Sequence, residues 1–235
     1  MIKVVLFDLD GTLLPMDLDE FMKAYMGTMA QKLAPHGYES EKLVPAVWNG
    51  VKAMVMNDGS RSNEDAFWDT FCEVFGEKAR DDAPIFEDYY QNEFQTVKNS
   101  CGYDVSAKQI VTKLKEKGYR VVLATNPLFP SIATESRIKW AGLEPTDFEL
   151  FTTYENYHFC KPNPKYYLEI LEKLGVAPEE CMMVGNDVTE DMMTRELGMQ
   201  VFLLTGSLIN KENKDIAQYP NGEFEDLLRF IDEQL

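Results

Sequence analysis

MIKVVLFDLDGTLL, residues 1–14, runs an apolar segment, Val4 to Phe7, straight into two carboxylates one residue apart, Asp8 and Asp10, followed by Gly11 and Thr12. A short apolar run without alternation is the pattern of a strand covered on both faces in a parallel sheet. Such a strand aimed at two like charges needs a physical reason, because carboxylates a few ångströms apart do not both stay ionised without a cation. Taken alone, Asp8-Leu9-Asp10 reads as an acidic turn. What the rest of the chain brings to the same place decides between the two readings.

Four further runs read as strands of the same kind: Arg120–Ala124, Leu150–Thr153, Cys181–Val184 and Val201–Leu204. Helical patterns lie between them at Ile132–Ala141, Pro164–Leu174 and Thr189–Leu197, and an amphipathic segment, Phe224–Leu235, ends the chain. Asn163 precedes Pro164 and Gly175 follows Leu174, the residue types that start and stop a helix. Alternating β and α predicts an α/β fold with a doubly wound parallel sheet. The stretch from Phe7 to Arg120 is far longer than an ordinary crossover. It holds helix-like segments at Asp17–Leu33, Ser40–Met56, Asn63–Phe75 and Ile85–Val97, and no strand. Ser62-Asn63-Glu64-Asp65 resembles a capping box, and Phe67, Phe71, Val74 and Phe75 recur at helical spacing. Residues 16–99 are therefore expected to form an inserted all-helical domain, with residues 1–15 and 100–235 as the core and a helix at Ser106–Lys117 leading back to the sheet. Met22, Met26, Trp48, Trp68 and Tyr89 are expected to pack its interior, with some of them facing the substrate, since methionine adapts to irregular surfaces, and Glu77–Asp82 to be a solvated linker.

The composition of this 235-residue chain, 45% apolar and 12% aromatic, is that of a packed globular protein. A net charge of −17 argues against nucleic acid and anionic membrane surfaces as partners, though not against a small phosphorylated ligand in a pocket of reversed local sign. No stretch approaches the roughly 20 apolar residues of a membrane span. Cys72, Cys101, Cys160 and Cys181 are scattered without a CxxC pair and read as reduced packing residues. With a strand-like run at the N-terminus in place of a leader pattern, a cytoplasmic protein is expected.

Ligands of open α/β sheets bind beyond the carboxyl ends of the strands. There the sequence puts Asp8 and Asp10 after the first strand and Thr125-Asn126 after the second. Lys161-Pro162 follows the third through a loop, and Gly185-Asn186-Asp187 follows the fourth, with Asp191 four residues on. Oxygen donors without histidine or cysteine suit Mg²⁺, held by one or two carboxylates with water and substrate phosphate. Asp187 and Asp191 would share a face if a helix starts there.

These residues, in this order and at these strand ends, resemble the four motifs of the haloacid dehalogenase superfamily, and the insert sits where that family carries its type 1 helical cap. The resemblance implies a Rossmann-like core and phosphatase activity of the phosphoglycolate phosphatase kind. It implies Asp8 as nucleophile forming an aspartyl-phosphate, and Asp10 as general acid and base. Thr125 would bond the phosphoryl group and Lys161 offset its charge. Mg²⁺ would be held by Asp8, the Asp10 carbonyl and Asp187, with Asp191 behind. An acid at position 10 favours a phosphate ester over a halide, which leaves without a proton.

The fourth motif carries Asn186 between its glycine and Asp187, so Asn186 or Glu190 could share the metal role. Pro127 and Pro130 leave fewer N–H donors in the loop after Thr125. Asn126 is a candidate for substrate contact. So is Arg61, on the Asn57–Arg61 loop of the insert, or Lys52 just before that loop. His158 is read as structural. The expected substrate is a small phosphorylated metabolite of the phosphoglycolate or sugar-phosphate kind. A phosphomutase similar to β-phosphoglucomutase would keep every motif. A phosphonate hydrolase would need a reactive lysine such as Lys23, and a non-catalytic binding protein could use the same acidic pocket.

Overall fold

The computed structural model describes residues 1–235. Val4–Phe7 forms β1, buried at every residue. The chain then leaves the sheet for the insert: α1 (Leu18–Leu33), α2 (Ser40–Val55), α3 (Asn63–Phe75), α4 (Lys78–Asp81) and α5 (Ala83–Gln91). It returns through a 3₁₀ segment, Glu93–Ser100, and α6 (Val105–Glu116) to β2 (Arg120–Leu123). Next come α7 (Ser131–Trp140), β3 (Leu150–Phe151), α8 (Pro164–Leu174), β4 (Cys181–Gly185), β5 (Gln200–Leu204), β6 (Asn221–Gly222) and α9 (Phe224–Gln234).

All six strands pair in parallel in the order β3-β2-β1-β4-β5-β6. The strand order therefore reverses at β1, and the crevice beyond β1, β2 and β4 is where such a sheet opens a ligand site. The register sets the residues there, because Phe7 stands level with Leu123 on one side and Val184 on the other. The next residues of all three strands are thus carried past the same edge.

Local chemistry explains several helix ends. Asp17 accepts from the Asp19 and Glu20 N–H groups at the start of α1, Ser62 accepts from Asp65 N at α3, and Asn163 from Lys165 N at α8. Gly175 closes α8 at φ +66°, a conformation glycine adopts without penalty.

Several expectations fail for identifiable reasons. The Glu77–Asp82 run is not a linker: it contains α4, whose Ala79 is buried, and Asp82 accepts from the Tyr38 hydroxyl at 2.8 Å. The expected Ile85–Val97 helix breaks at Asn92 (φ −114°, ψ −81°) and continues as a 3₁₀ segment. No α-helix spans Thr189–Leu197; a turn leads into a 3₁₀ segment, Met192–Leu197. β3 stops two residues early. β6 has no apolar run to reveal it, since it is recognised only by main-chain bonds, Leu203 N to Pro220 O and Thr205 N to Gly222 O.

The insert does not float free of the sheet. One apolar cluster of 41 buried residues runs from Val5 and Phe7 through α6 and α7 into the insert. Phe21 and Tyr25 of α1 meet Phe129 at ring distances of 6.2 and 5.3 Å, and Phe94 meets Trp140 at 5.0 Å. Tyr89 and Trp68 are buried as expected. Met22 and Met26 are half-buried, and Trp48 keeps 48% of its surface exposed because it lines a cavity instead of packing the interior. No helix is long and apolar enough to cross a membrane.

Candidate active site

A cavity of about 1100 Å³ lies between the carboxyl ends of the strands and the helical insert. Asp8, Asp10, Thr125, Asn126, Asp187 and Asp191 all line it. The strand-end logic thus brings to one wall residues from positions 8 to 191.

Asp8 is held on both oxygens. Its Oδ1 accepts from Lys161 Nζ at 2.8 Å and its Oδ2 from the Thr12 hydroxyl at 3.1 Å. Lys161 is buried behind this wall and reaches Asp191 Oδ1 at 2.7 Å as well, so one ammonium bridges two carboxylates. Burial works to lower the lysine, but Asp191 and Asp8 outweigh it and hold Lys161 protonated well above the ordinary lysine range. Burial also pushes Asp191 up, with Lys161 pulling against it. The second oxygen of Asp191 accepts from Asp187 N at 3.1 Å. Asp191 therefore braces the Asp187 loop and Lys161 without any helix to place it. Gly185 makes this fit possible, since a Cβ there would fall on the Asp191 carboxylate.

Asp187 Oδ1 accepts from the N–H groups of Thr189 and Glu190 at 2.7 and 2.9 Å, which fixes the carboxylate at the turn. Asn186 is committed elsewhere: its Oδ1 accepts from Thr12 at 3.0 Å and its Nδ2 donates to Ser207 O at 2.7 Å. Gly11, at φ +81°, leaves the space this asparagine occupies. Asn126 donates to Glu190 Oε2 at 3.2 Å and accepts from Lys161 N at 3.2 Å. Burial pushes Glu190 up, with Asp187 and Asp8 adding to it and Lys161 opposing. Thr125 is anchored through its carbonyl, which accepts from Tyr166 (2.7 Å) and Thr152 (2.5 Å).

The residue the sequence reading missed is Arg137. It is wholly buried in α7, its Nη1 donates to Asp10 Oδ2, and its guanidinium lies 4.2 Å from the Phe129 ring centroid. Asp10 Oδ1 has no partner. Burial raises the Asp10 carboxyl above the usual range, Arg137 opposes that, and Asp8 adds to it. A signal existed: Ala133, Arg137 and Ala141 fall four apart on the buried face of one helix, an unusual place for an arginine.

Other candidates fall away from the cavity. Arg61 is exposed and pairs with Asp69, and Lys52 and Lys23 are exposed and do not line the cavity. Its pairing with Asp69 of α3 holds the Arg61 charge at the surface, away from the cavity lining. His158 meets Glu169 at 2.9 Å, outside the cavity.

The donor chemistry fits a hard cation. Asp8 and Asp187 face the same cavity, whose lining contains no histidine or cysteine. No three such groups close into a protein cage. Two carboxylates beside open space match Mg²⁺, which keeps several waters and takes one or two carboxylates.

The chain is similar to several known proteins along most of its length. A phosphoglycolate phosphatase of Aquifex aeolicus is 23% identical over 234 residues, 99% of this chain and 98% of that one. A pyrophosphatase PpaX of Bacillus cereus is 24% identical over 186 residues, 79% of this chain and 75% of that one. The crystal structure of a HAD phosphatase from Thermococcus onnurineus superposes with a TM-score of 0.58 at 20% identity, covering 98% of each chain. Residues 2–198 match the haloacid dehalogenase-like hydrolase family, and with the parallel sheet and its carboxylate-lined edge in place, this chain is a member of that family of hydrolases.

Proposed function

We propose that this hydrolase is a phosphatase that cleaves a phosphate monoester through a phosphoryl group carried on Asp8. The observation that carries the reading is the unequal setting of two carboxylates on one cavity wall. Asp8 lies against the Lys161 ammonium and a hydroxyl, whereas the Asp10 carboxyl is raised by burial and keeps one oxygen unpartnered. Two acids with environments pushed apart suit a nucleophile and a proton carrier.

In this reading an Asp8 oxygen attacks phosphorus while the bond to the leaving oxygen breaks. Asp10 gives its proton to that oxygen. A water then loses a proton to the Asp10 carboxylate and attacks the phosphorus, which frees inorganic phosphate and restores Asp8. Lys161 offsets charge behind Asp8, and the Thr125 hydroxyl is placed at the strand edge to bond a phosphoryl oxygen. Mg²⁺, when bound by Asp8, Asp187 and the Asp10 carbonyl, would neutralise the phosphoryl oxygens. Asp191 acts through Lys161 and the Asp187 main chain. The helical insert serves as the cap that covers the reacting groups and excludes water.

The test is phosphate release from a panel of monoesters with Mg²⁺ and with a chelator. Turnover restored by Mg²⁺ is expected. Turnover untouched by the chelator would remove the metal, and interconversion of sugar phosphates without phosphate release would make the protein a mutase.

A further inference from the structure

The wall opposite Asp8 has a chemistry of its own. It is built by α1, α2, α3 and the loop after β2, and presents Met22, Met26, Trp48, Phe67, Trp68 and Phe129. Methionine and aromatic rings make an adaptable apolar surface. The cavity of about 1100 Å³ exceeds the roughly 300–1,000 Å³ typical of ligand pockets, far more than a two-carbon alcohol would fill.

The charges that ring the chamber away from Asp8 are all of one sign. Glu64 and Glu155 face the chamber and Asp17 and Glu87 stand at its rim; none of the four forms an ion pair. Glu155 accepts from Ser131 N at 2.8 Å through one oxygen, while its other oxygen is buried without a partner. Burial raises the Glu64 carboxyl, and the Glu155 charge raises it further. The one basic side chain lining the cavity is Lys211. It lies on the loop after β5, whose Ile209 bonds Asn186 and Val188, so it belongs to the phosphoryl side. Arg137 is spent on Asp10, and Arg61 points outward to Asp69.

We propose, resting on the phosphatase reading, that the alcohol half of the substrate is bulky and apolar and carries no negative charge. A carboxylate or second phosphate placed there would lose its water facing Glu64 and Glu155, and Arg80, the cation whose charge acts on Glu64, is already paired with Asp69. An aromatic or branched aliphatic group would bury its surface against the rings and methionines. On this proposal a glycolate-like leaving group, one of the two kinds expected from the sequence, binds less well than an apolar one.

The experiment measures binding and turnover separately. Calorimetry on the whole protein with Mg²⁺ compares two non-hydrolysable phosphonates, 2-naphthylmethylphosphonate and phosphonoacetate. The naphthyl compound is expected to bind at least about tenfold tighter, the size of difference that marks selection by one pocket. Equal affinity, the reverse order or no binding of either overturns the proposal. A charge control separates repulsion from general greasiness. Glu64→Gln with Glu155→Gln should tighten phosphonoacetate about threefold or more and leave the naphthyl compound within about twofold. An unchanged phosphonoacetate affinity, in a variant whose melting curve shows it folded, also overturns it. Turnover of 2-naphthyl phosphate reports on the phosphatase reading. Preferential naphthyl binding with no phosphate released would sink that reading and leave the recognition chemistry standing.

Discussion

Arg137, wholly buried in α7, donates to the Asp10 carboxylate across 127 residues of chain and under the Phe129 ring. The pair ties the loop after β1 to the helix after β2 and sets the electrostatic environment of the proposed proton carrier. Removing one partner of a buried ion pair strands the other charge in a poor solvent. Arg137→Met is expected to lower stability by about 3 kcal/mol. That is the low end for a buried pair, because the Asp10 side chain keeps 21% of its surface open to the cavity. Urea unfolding measures this, and adding Asp10→Asn should recover part of the loss. An unchanged unfolding midpoint in the single variant would show the pair to be energetically idle.

Asp8→Asn should abolish phosphate release and leave the fold standing. The amide keeps the shape and the Thr12 contact, and Lys161 retains Asp191 as its counter-charge. Circular dichroism and a phosphate assay together decide it. Turnover at the parent rate would mean that another group attacks phosphorus.

Asp10→Asn should slow turnover by roughly 10²–10⁴-fold, the range for losing one general acid–base group. The loss should be smaller for esters whose alcohol is itself acidic, since those leave without a proton. A uniform loss across leaving groups would argue that Asp10 only shapes the loop.

Gly185→Ala tests the brace at the end of β4. The added methyl would displace the Asp191 carboxylate, and with it the contacts to Lys161 and Asp187 N. Overpacking of this kind costs about 1–3 kcal/mol. A thermal melt should show the drop and the phosphate assay a matching loss of activity. A variant that melts and turns over as the parent does would mean that Asp191 can move at no cost.

Asp147 gives a dependence on pH away from the site. Burial raises its carboxyl, but Lys108 at 2.6 Å, the Glu144 N–H and Lys115 at 3.1 Å outweigh this and hold it at about 2. The folded value lies below the unfolded one of about 3.9, so the stabilisation is complete above that value and disappears as pH falls through about 2. Asp147→Asn should cost about 1 kcal/mol at pH 7, after allowance for solvent screening, and about half that at pH 3. Denaturant titrations at the two pH values measure it; an equal penalty at both would assign the effect to the 3₁₀ turn Pro145–Asp147 alone.

The parts of this protein legible in one dimension are those governed by neighbours in the chain. Val4–Phe7 and Cys181–Val184 announce buried strands because both faces must be apolar, and Ser62 and Asn163 announce helix starts because an oxygen must meet free N–H groups a few residues on. Motif order at the strand ends then placed Asp8, Thr125 and Asp187 on one edge, since parallel strands all deliver their carboxyl ends to the same side. β6 escaped notice because two residues held by main-chain bonds need no apolar pattern, and the Asp187–Asp191 spacing suggested a helix where a turn with a side-chain brace does the same positioning.

Tertiary structure alone decided which charges meet. Lys161 joins Asp8 and Asp191, Arg137 goes under Phe129 to Asp10, and Arg61 turns outward to Asp69. Each outcome depends on how far apart elements cross and on which desolvated charge finds a partner, and neither quantity has a short-range signature. The one-sign lining of the chamber above the phosphoryl wall arises in the same way, from Glu64 at the start of α3 and Glu155 on the loop after β3, two segments joined where Glu64 N donates to Tyr154 O at 2.9 Å.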